Sequence, residues 1–149
     1  MESTQNIILD STKQLVTLLG YDFKITVDQQ DEVYVIQIDC EDTGILIGYH
    51  GQTLYALQTI LSHIVFKAAG QWVKITLNVS DYWQKREEQL KTLAQRGVEE
   101  VRNLKTSYTL PFLSARERRL VHMYLQDMEE IYTESIGEGA ERRLVIFPK

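Results

Sequence analysis

The glycines at positions 48 and 51 constrain this chain more than any other feature. They sit in the run Gly-Ile-Leu-Ile-Gly-Tyr-His-Gly-Gln-Thr-Leu, residues 44–54, between an apolar stretch and a long helical pattern. Without a Cβ, each lets the backbone come very close to something else. Gly51 opens a helix, so free N–H groups and the positive end of the helix dipole point the same way. Helix starts of this kind hold phosphates. Helix-to-helix turns also use glycine for geometry alone, so the pair leaves a ligand-holding loop and a structural turn both open.

The pattern around the loop is regular. Asn6 to Leu19 predicts a helix stopped by Gly20. Phe23–Val27 and Val33–Ile38 alternate as strands, and Asp28-Gln29-Gln30-Asp31 between them predicts a hairpin. A short apolar helix, Thr43 to Ile47, leads into the glycines. Gln52 to Ala69 is helical and apolar on most faces, which places it at the centre of a core. Gly70 ends it, and Trp72 to Val79 follows as a strand.

Asp81 begins a second pattern, a long helix with Leu90, Leu93, Ala94, Val98, Val101 and Leu104 in one stripe. Gly97 falls in that stripe, where another element can cross closely. Thr109-Leu110-Pro111-Phe112 predicts a break. Ser114-x-x-Glu117 is a capping-box signature, so a new helix is expected from Ser114 to about Met128. Glu130–Thr133 and Arg142–Phe147 follow as strands, with a turn at Gly137-Glu138-Gly139. No linker or repeat interrupts the chain, and the long helix is expected to join the two halves rigidly.

Charge divides along the same line. The net charge is −5, unfavourable for a nucleic-acid binder as a whole. Up to Ser80 there are four basic and nine acidic residues; from Asp81 on, twelve of each. All eight arginines lie at or beyond Arg86, and arginine is the better phosphate fork. A phosphate-binding surface is therefore expected in the second half. There, Arg118 and His122 are four apart on one helix face. They sit on the shoulder of a stripe formed by Leu120, Val121, Tyr124, Leu125 and Met128. Guanidinium and imidazole together can hold one phosphate, with Arg142 and Arg143 extending the surface. A packing or capping pair has the same spacing.

The loop resembles the Gly-x-x-Gly loop of KH domains, which clamps about four nucleotides of single-stranded backbone. The run from Arg118-x-x-x-His122 through Thr133-Glu134-Ser135-x-Gly137-Glu138-Gly139 to Arg142-Arg143-Leu144-Val145-Ile146 resembles the RxxxH (arginine-three-histidine) domain. The two in this order, joined by a helix like Tyr82–Glu88, are similar to the Jag family, also called KhpB or SpoIIIJ-associated proteins. The resemblance covers nearly the whole chain, but the family's usual N-terminal Jag domain and its charged linker are not matched.

The resemblance implies an α+β fold: a type II-like KH domain, residues 1–80, then a small α/β RxxxH domain, residues 81–149. It implies a cytoplasmic, bacterial-type regulator or RNA chaperone that binds single-stranded RNA, with single-stranded DNA as the alternative ligand. The residues carried over are Gly48 and Gly51 for the loop, with Tyr49 and His50 between them, and Arg118, His122, Arg142 and Arg143 for phosphates. Many family members have basic residues where this chain has Tyr49 and His50. Those two can stack on bases or face a protein partner. Ile45, Ile47 and Leu54 are expected to offer bases an apolar floor. The rival reading is an adaptor that associates through its KH half, with a KH-only protein or with itself.

Other chemistry finds little support. There is no Gly-x-x-x-x-Gly-Lys phosphate loop and no nucleophile–base motif, so no enzyme is expected. Histidines 50, 63 and 122 lack metal-ligand spacing, so no metal and no cofactor is expected. His63 is read as a core or interface histidine and Cys40 as a small strand residue. No apolar run is long enough to insert in a membrane, and the polar start Met-Glu-Ser-Thr-Gln-Asn shows no secretory signal.

Overall fold

The computed structural model describes residues 3–20 and 22–149; Met1 and Glu2 of the polar start lie outside the described residues. It divides into two units, one ending at Trp83 and one comprising Gln84–Lys149.

The first unit sets helices against a three-stranded sheet. Helix α1 (Thr4–Thr17) is capped by Ser3, whose hydroxyl accepts from the Asn6 N–H. Strands β1 (Lys24–Gln30) and β2 (Val33–Asp39) are antiparallel, with Lys24 opposite Asp39 and Gln30 opposite Val33. The hairpin turn is therefore shorter than the sequence reading placed it, at Asp31-Glu32. Asp31 takes the left-handed conformation there (φ 53°), which aspartate tolerates better than most residues. From β2 the chain crosses over through α2 (Thr43–Ile47), the glycine loop and α3 (Gln52–Ala69) to β3 (Lys74–Val79). Strand β3 lies parallel to β2, so β2 is central.

Ile36, Ile38, Leu77 and Val79 of the sheet pack with Ile8 and Val16 of α1 and with Leu54, Leu57, Leu61 and Val65 of α3. Those four α3 residues follow the three-and-four spacing of one face. Helix α3 is thus not surrounded by core. Its other side leaves Tyr55, Ile60 and Phe66 exposed. His63 is exposed too, with its ring edge-on to Trp72 at 5.3 Å, rather than in the core.

The second unit begins inside helix α4 (Tyr82–Leu104). Tyr82 and Trp83 pack on the first core, and the Trp83 indole N–H donates to the Leu77 carbonyl at 3.0 Å. The divide consequently falls after Trp83, three residues beyond the boundary drawn from the sequence. From Gln84 onward, Leu90, Ala94, Val98 and Val101 face the second core. Leu104, expected in this stripe, is exposed, and Leu93 only partly buried.

Strand β4 (Tyr108–Thr109), whose second residue opens the stretch expected as a break, and β5 (Ile131–Ile136) flank β6 (Arg143–Pro148), both antiparallel to it. Gly97 is where the sheet's side chains reach α4: a Cβ there would lie 2.7 Å from Ile146 Cδ1. Helix α5 (Ala115–Leu125) starts at the expected capping box. Glu117 is buried and accepts from the Ser114 N–H at 2.8 Å and from Arg86 Nε at 2.7 Å. That pair ties α5 to α4. Val121 and Leu125 are buried, whereas Leu120 and Tyr124, assigned to the apolar stripe, are exposed.

Candidate nucleic-acid interface

Two places gather the candidate residues, one in each unit. In the first unit, Gly48 ends α2 at φ 68°, ψ −171°, and its N–H donates to the Gly44 carbonyl at 2.9 Å. His50 (φ 51°) and Gly51 (φ 79°) are both left-handed, and Gly51 is the N-cap of α3. The missing Cβ atoms serve the fold first. A Cβ on Gly48 would lie 2.0 Å from Thr53 Oγ1, and one on Gly51 would lie 2.8 Å from Tyr82 Cε1 and 3.1 Å from Trp83. What approaches the glycines is the chain itself.

The side chains between the glycines form an aromatic step. The Tyr49 and His50 rings stack at 4.0 Å and 12°, and Tyr49 is 62% exposed. Of the expected apolar floor, Ile45 is exposed and Ile47 partly buried, but Leu54 is 0% exposed. Leu54 belongs to the core and offers nothing to a base. Elsewhere in this unit, Asp22, Asp39, Glu41 and Asp42 line a cavity of about 720 Å³ with Phe23 and Cys40. Burial, then the carboxylates of Asp42 and Asp39, push the Cys40 thiol above its ordinary pKa, the opposite of an activated nucleophile. Among the described residues no group of three or more histidine, cysteine or acidic side chains is placed to hold a metal.

The second place is a cavity of about 520 Å³ in the second unit. Ala115, Arg118, Arg119 and His122 of α5 line it, with Thr133, Glu134 and Ser135 of β5, then Arg142 and Leu144. The capping box starts α5 at a fixed residue, so Arg118 and His122, one turn apart, face β5 together. Three polar side chains are held by one hydrogen bond each. Arg118 Nη1 donates to the Leu113 carbonyl at 2.7 Å. His122 Nδ1 and Thr133 Oγ1 are 2.5 Å apart. Arg142 Nε donates to Ser135 Oγ at 2.9 Å.

Two residues depart from the sequence reading. Arg143 does not line the cavity. Its guanidinium donates to the Ala140 carbonyl at 2.6 Å and the Arg142 carbonyl at 3.1 Å, and lies 5.4 Å from the Phe112 ring centre. Neighbours in extended backbone face opposite sides, so Arg142 and Arg143 do not share a surface. Arg119, which the sequence reading passed over, does line it. The signal was available: it follows Arg118 directly and lies three before His122.

Comparison with known proteins matches both units. The KhpA/KhpB KH domain family matches residues 5–77, and the RxxxH (arginine-three-histidine) domain family matches residues 88–148. The RNA-binding protein KhpB of Clostridium symbiosum is 31% identical over 128 residues, 86% of this chain and 58% of that protein. The KhpB of Bacillus subtilis (strain 168) is 34% identical over 127 residues, 84% of this chain and 61% of that protein. That of Lactiplantibacillus plantarum is 28% identical over 145 residues, 97% of this chain and 45% of that protein. The chain thus spans about three-fifths or less of the length of these relatives.

Proposed function

We propose, for a chain that belongs to the KhpB (Jag) family by its KH domain followed by its RxxxH domain, that it binds single-stranded RNA and acts as a post-transcriptional regulator or RNA chaperone. The observation that carries this reading is the convergence of Arg118, Arg119, His122 and Arg142 with two hydroxyls on one cavity. The relatives' name, RNA-binding protein, supports RNA over DNA. In this account the cavity holds phosphates, while Gly48, Tyr49, His50 and Gly51 present the stacked rings to unpaired bases. Base stacking on an aromatic contributes about 1–3 kcal/mol with little sequence preference. The protein is a binder rather than an enzyme in this reading, and acts in the cytoplasm. No described helix is long and apolar enough to cross a membrane.

Fluorescence anisotropy of a short unstructured RNA against Tyr49→Asp/His50→Asp tests the loop's share. The double variant should weaken binding by at least about tenfold. Binding equal to wild type, with the fold intact, would leave the loop a structural turn.

A second reading, association between KH domains, rests on the exposed side of α3. Tyr55, Ile60 and Phe66 are exposed there, and Trp72, also exposed, stacks on Phe66 at 4.4 Å. Ile60→Asp should convert any dimer to monomer in sedimentation velocity. A wild-type protein that is monomeric at every concentration would end this reading for self-association.

A further inference from the structure

We infer that Thr133 and Ser135 are positioning residues of the RxxxH-domain cavity, each holding one phosphate-facing side chain in place. The inference rests on the reading of that cavity as the RNA phosphate site. The two hydroxyls are two apart on β5, so they share one face of the strand. Each meets a different side chain of the cavity: Thr133 Oγ1 lies 2.5 Å from His122 Nδ1, and Ser135 Oγ accepts from Arg142 Nε at 2.9 Å. The strand fixes the spacing of its hydroxyls, and the hydroxyls fix the groups that reach out from α5 and from the turn before β6.

The chemistry at His122 makes Thr133 more than a spacer. With Nδ1 occupied by the hydroxyl, Nε2 is the ring nitrogen left to face a ligand. A phosphate oxygen needs a donor, so Nε2 must carry a hydrogen. A threonine hydroxyl can donate to a bare Nδ1, which places the hydrogen of a neutral ring on Nε2. It can equally accept from Nδ1–H, either of the charged ring, whose Nε2 also carries a hydrogen, or of the other neutral tautomer, whose Nε2 does not; a phosphate oxygen at Nε2 selects the forms with a hydrogen there. Thr133 therefore supports both forms that can donate to phosphate. Valine has nearly the same shape but can do neither. Ser135 acts differently. By accepting from Arg142 Nε it restrains the plane of the guanidinium and leaves the terminal nitrogens for a ligand. A fork already oriented loses less rotamer entropy on binding.

Four variants test this by RNA anisotropy at two salt concentrations, with thermal unfolding as the control: Thr133→Val, Thr133→Ser, Ser135→Ala and Arg118→Ala/His122→Ala. Thr133→Val and Ser135→Ala should each weaken binding roughly three- to tenfold with the salt dependence unchanged, because no charge is removed. Thr133→Ser should bind like wild type. With RNA bound, nitrogen-15 NMR of the His122 ring should show a hydrogen on Nε2 and an Nδ1 shift displaced by its hydrogen bond to Thr133, and Thr133→Val should abolish that displacement. If Thr133→Val and Ser135→Ala bind like wild type while Arg118→Ala/His122→Ala does not, the positioning role is wrong and the phosphate site stands. If Arg118→Ala/His122→Ala also binds like wild type, the phosphate site itself is wrong. Thr133→Ser failing as badly as Thr133→Val would assign the loss to packing and overturn the role of the hydroxyl.

Discussion

Replacing Arg118 and His122 together with alanine should weaken binding of a short unstructured RNA by roughly 100-fold or more near 0.1 M salt. Hydrogen bonds to charged groups contribute about 1.5–3 kcal/mol each, and this change removes two facing one cavity. The fold should tolerate it. His122 is exposed, and Arg118 gives up one hydrogen bond, to the Leu113 carbonyl, a loss of about 1.5–3 kcal/mol. Arg119, which also lines the cavity, stays behind and sustains residual affinity. Arg143→Ala is the contrasting variant. Its guanidinium is engaged with the Ala140 and Arg142 carbonyls and with Phe112, so it should lower the unfolding temperature and leave affinity within about twofold. Anisotropy and thermal unfolding on the same samples separate the two effects. Equal losses of affinity would restore Arg143 to the site.

The second large effect lies in the glycine loop and concerns stability. Gly48→Ala should destabilise the first unit by about 2–6 kcal/mol. Two terms add. The backbone at φ 68°, ψ −171° is a conformation essentially reserved for glycine, strained for any residue with a Cβ by about 1–3 kcal/mol. The new Cβ also falls 2.0 Å from Thr53 Oγ1 and 2.7 Å from Thr53 Cβ, and relieving such overpacking costs about 1–3 kcal/mol. Because Thr53 is a single side chain, the hydroxyl's part of the second term can be isolated. Combining Gly48→Ala with Thr53→Ala should recover the part of the loss due to the hydroxyl, and leave the backbone term and the contact with the Cβ that alanine keeps. Urea unfolding of the four corners of this cycle gives the coupling directly. Additive losses would mean that Thr53 moves aside freely and that the glycine is kept for another reason, such as a ligand's approach.

The glycine loop also marks what the sequence could and could not reveal. Helix α3 has the bounds expected, Gln52–Ala69, because a glycine in the left-handed conformation stands at each end, Gly51 and Gly70. The Ser114 capping box fixed the start of α5 equally well. Strand β4 escaped notice because two residues cannot show a period; only its pairing with Val145 and Ile146 makes it a strand. Strand β5 runs on through Glu134 and Ser135, polar positions on a sheet edge where hydrophobic alternation carries no signal. Helix α3 was expected at the centre of a core because its composition is apolar almost all round. Composition does not say whether an apolar face is covered, and here Tyr55, Ile60 and Phe66 are not.

The cavity follows the same logic. Arg118 and His122 were legible from their spacing on one helix, and both line it. Arg142 and Arg143 are adjacent, so sequence alone placed them together, and strand geometry separates them. Leu54 looked available to a base because it follows the loop, yet three-and-four spacing puts it with Leu57 and Leu61 in the core. The partners of His122 and Arg142, Thr133 and Ser135, required the packing of α5 and the turn before β6 against β5, which no local pattern in the chain records.

The central claim is that three arginines at the RxxxH-domain cavity neutralise RNA phosphates. Its most direct test is the salt dependence of affinity for wild type and for Arg118→Ala/Arg142→Ala, read as the slope of log affinity against log salt concentration. Three neutralised phosphates on a single strand predict a slope of about −2, and removing two of the arginines should bring it to about −0.7. A slope already near zero in the wild type, or one that the double variant leaves unchanged, would contradict the claim.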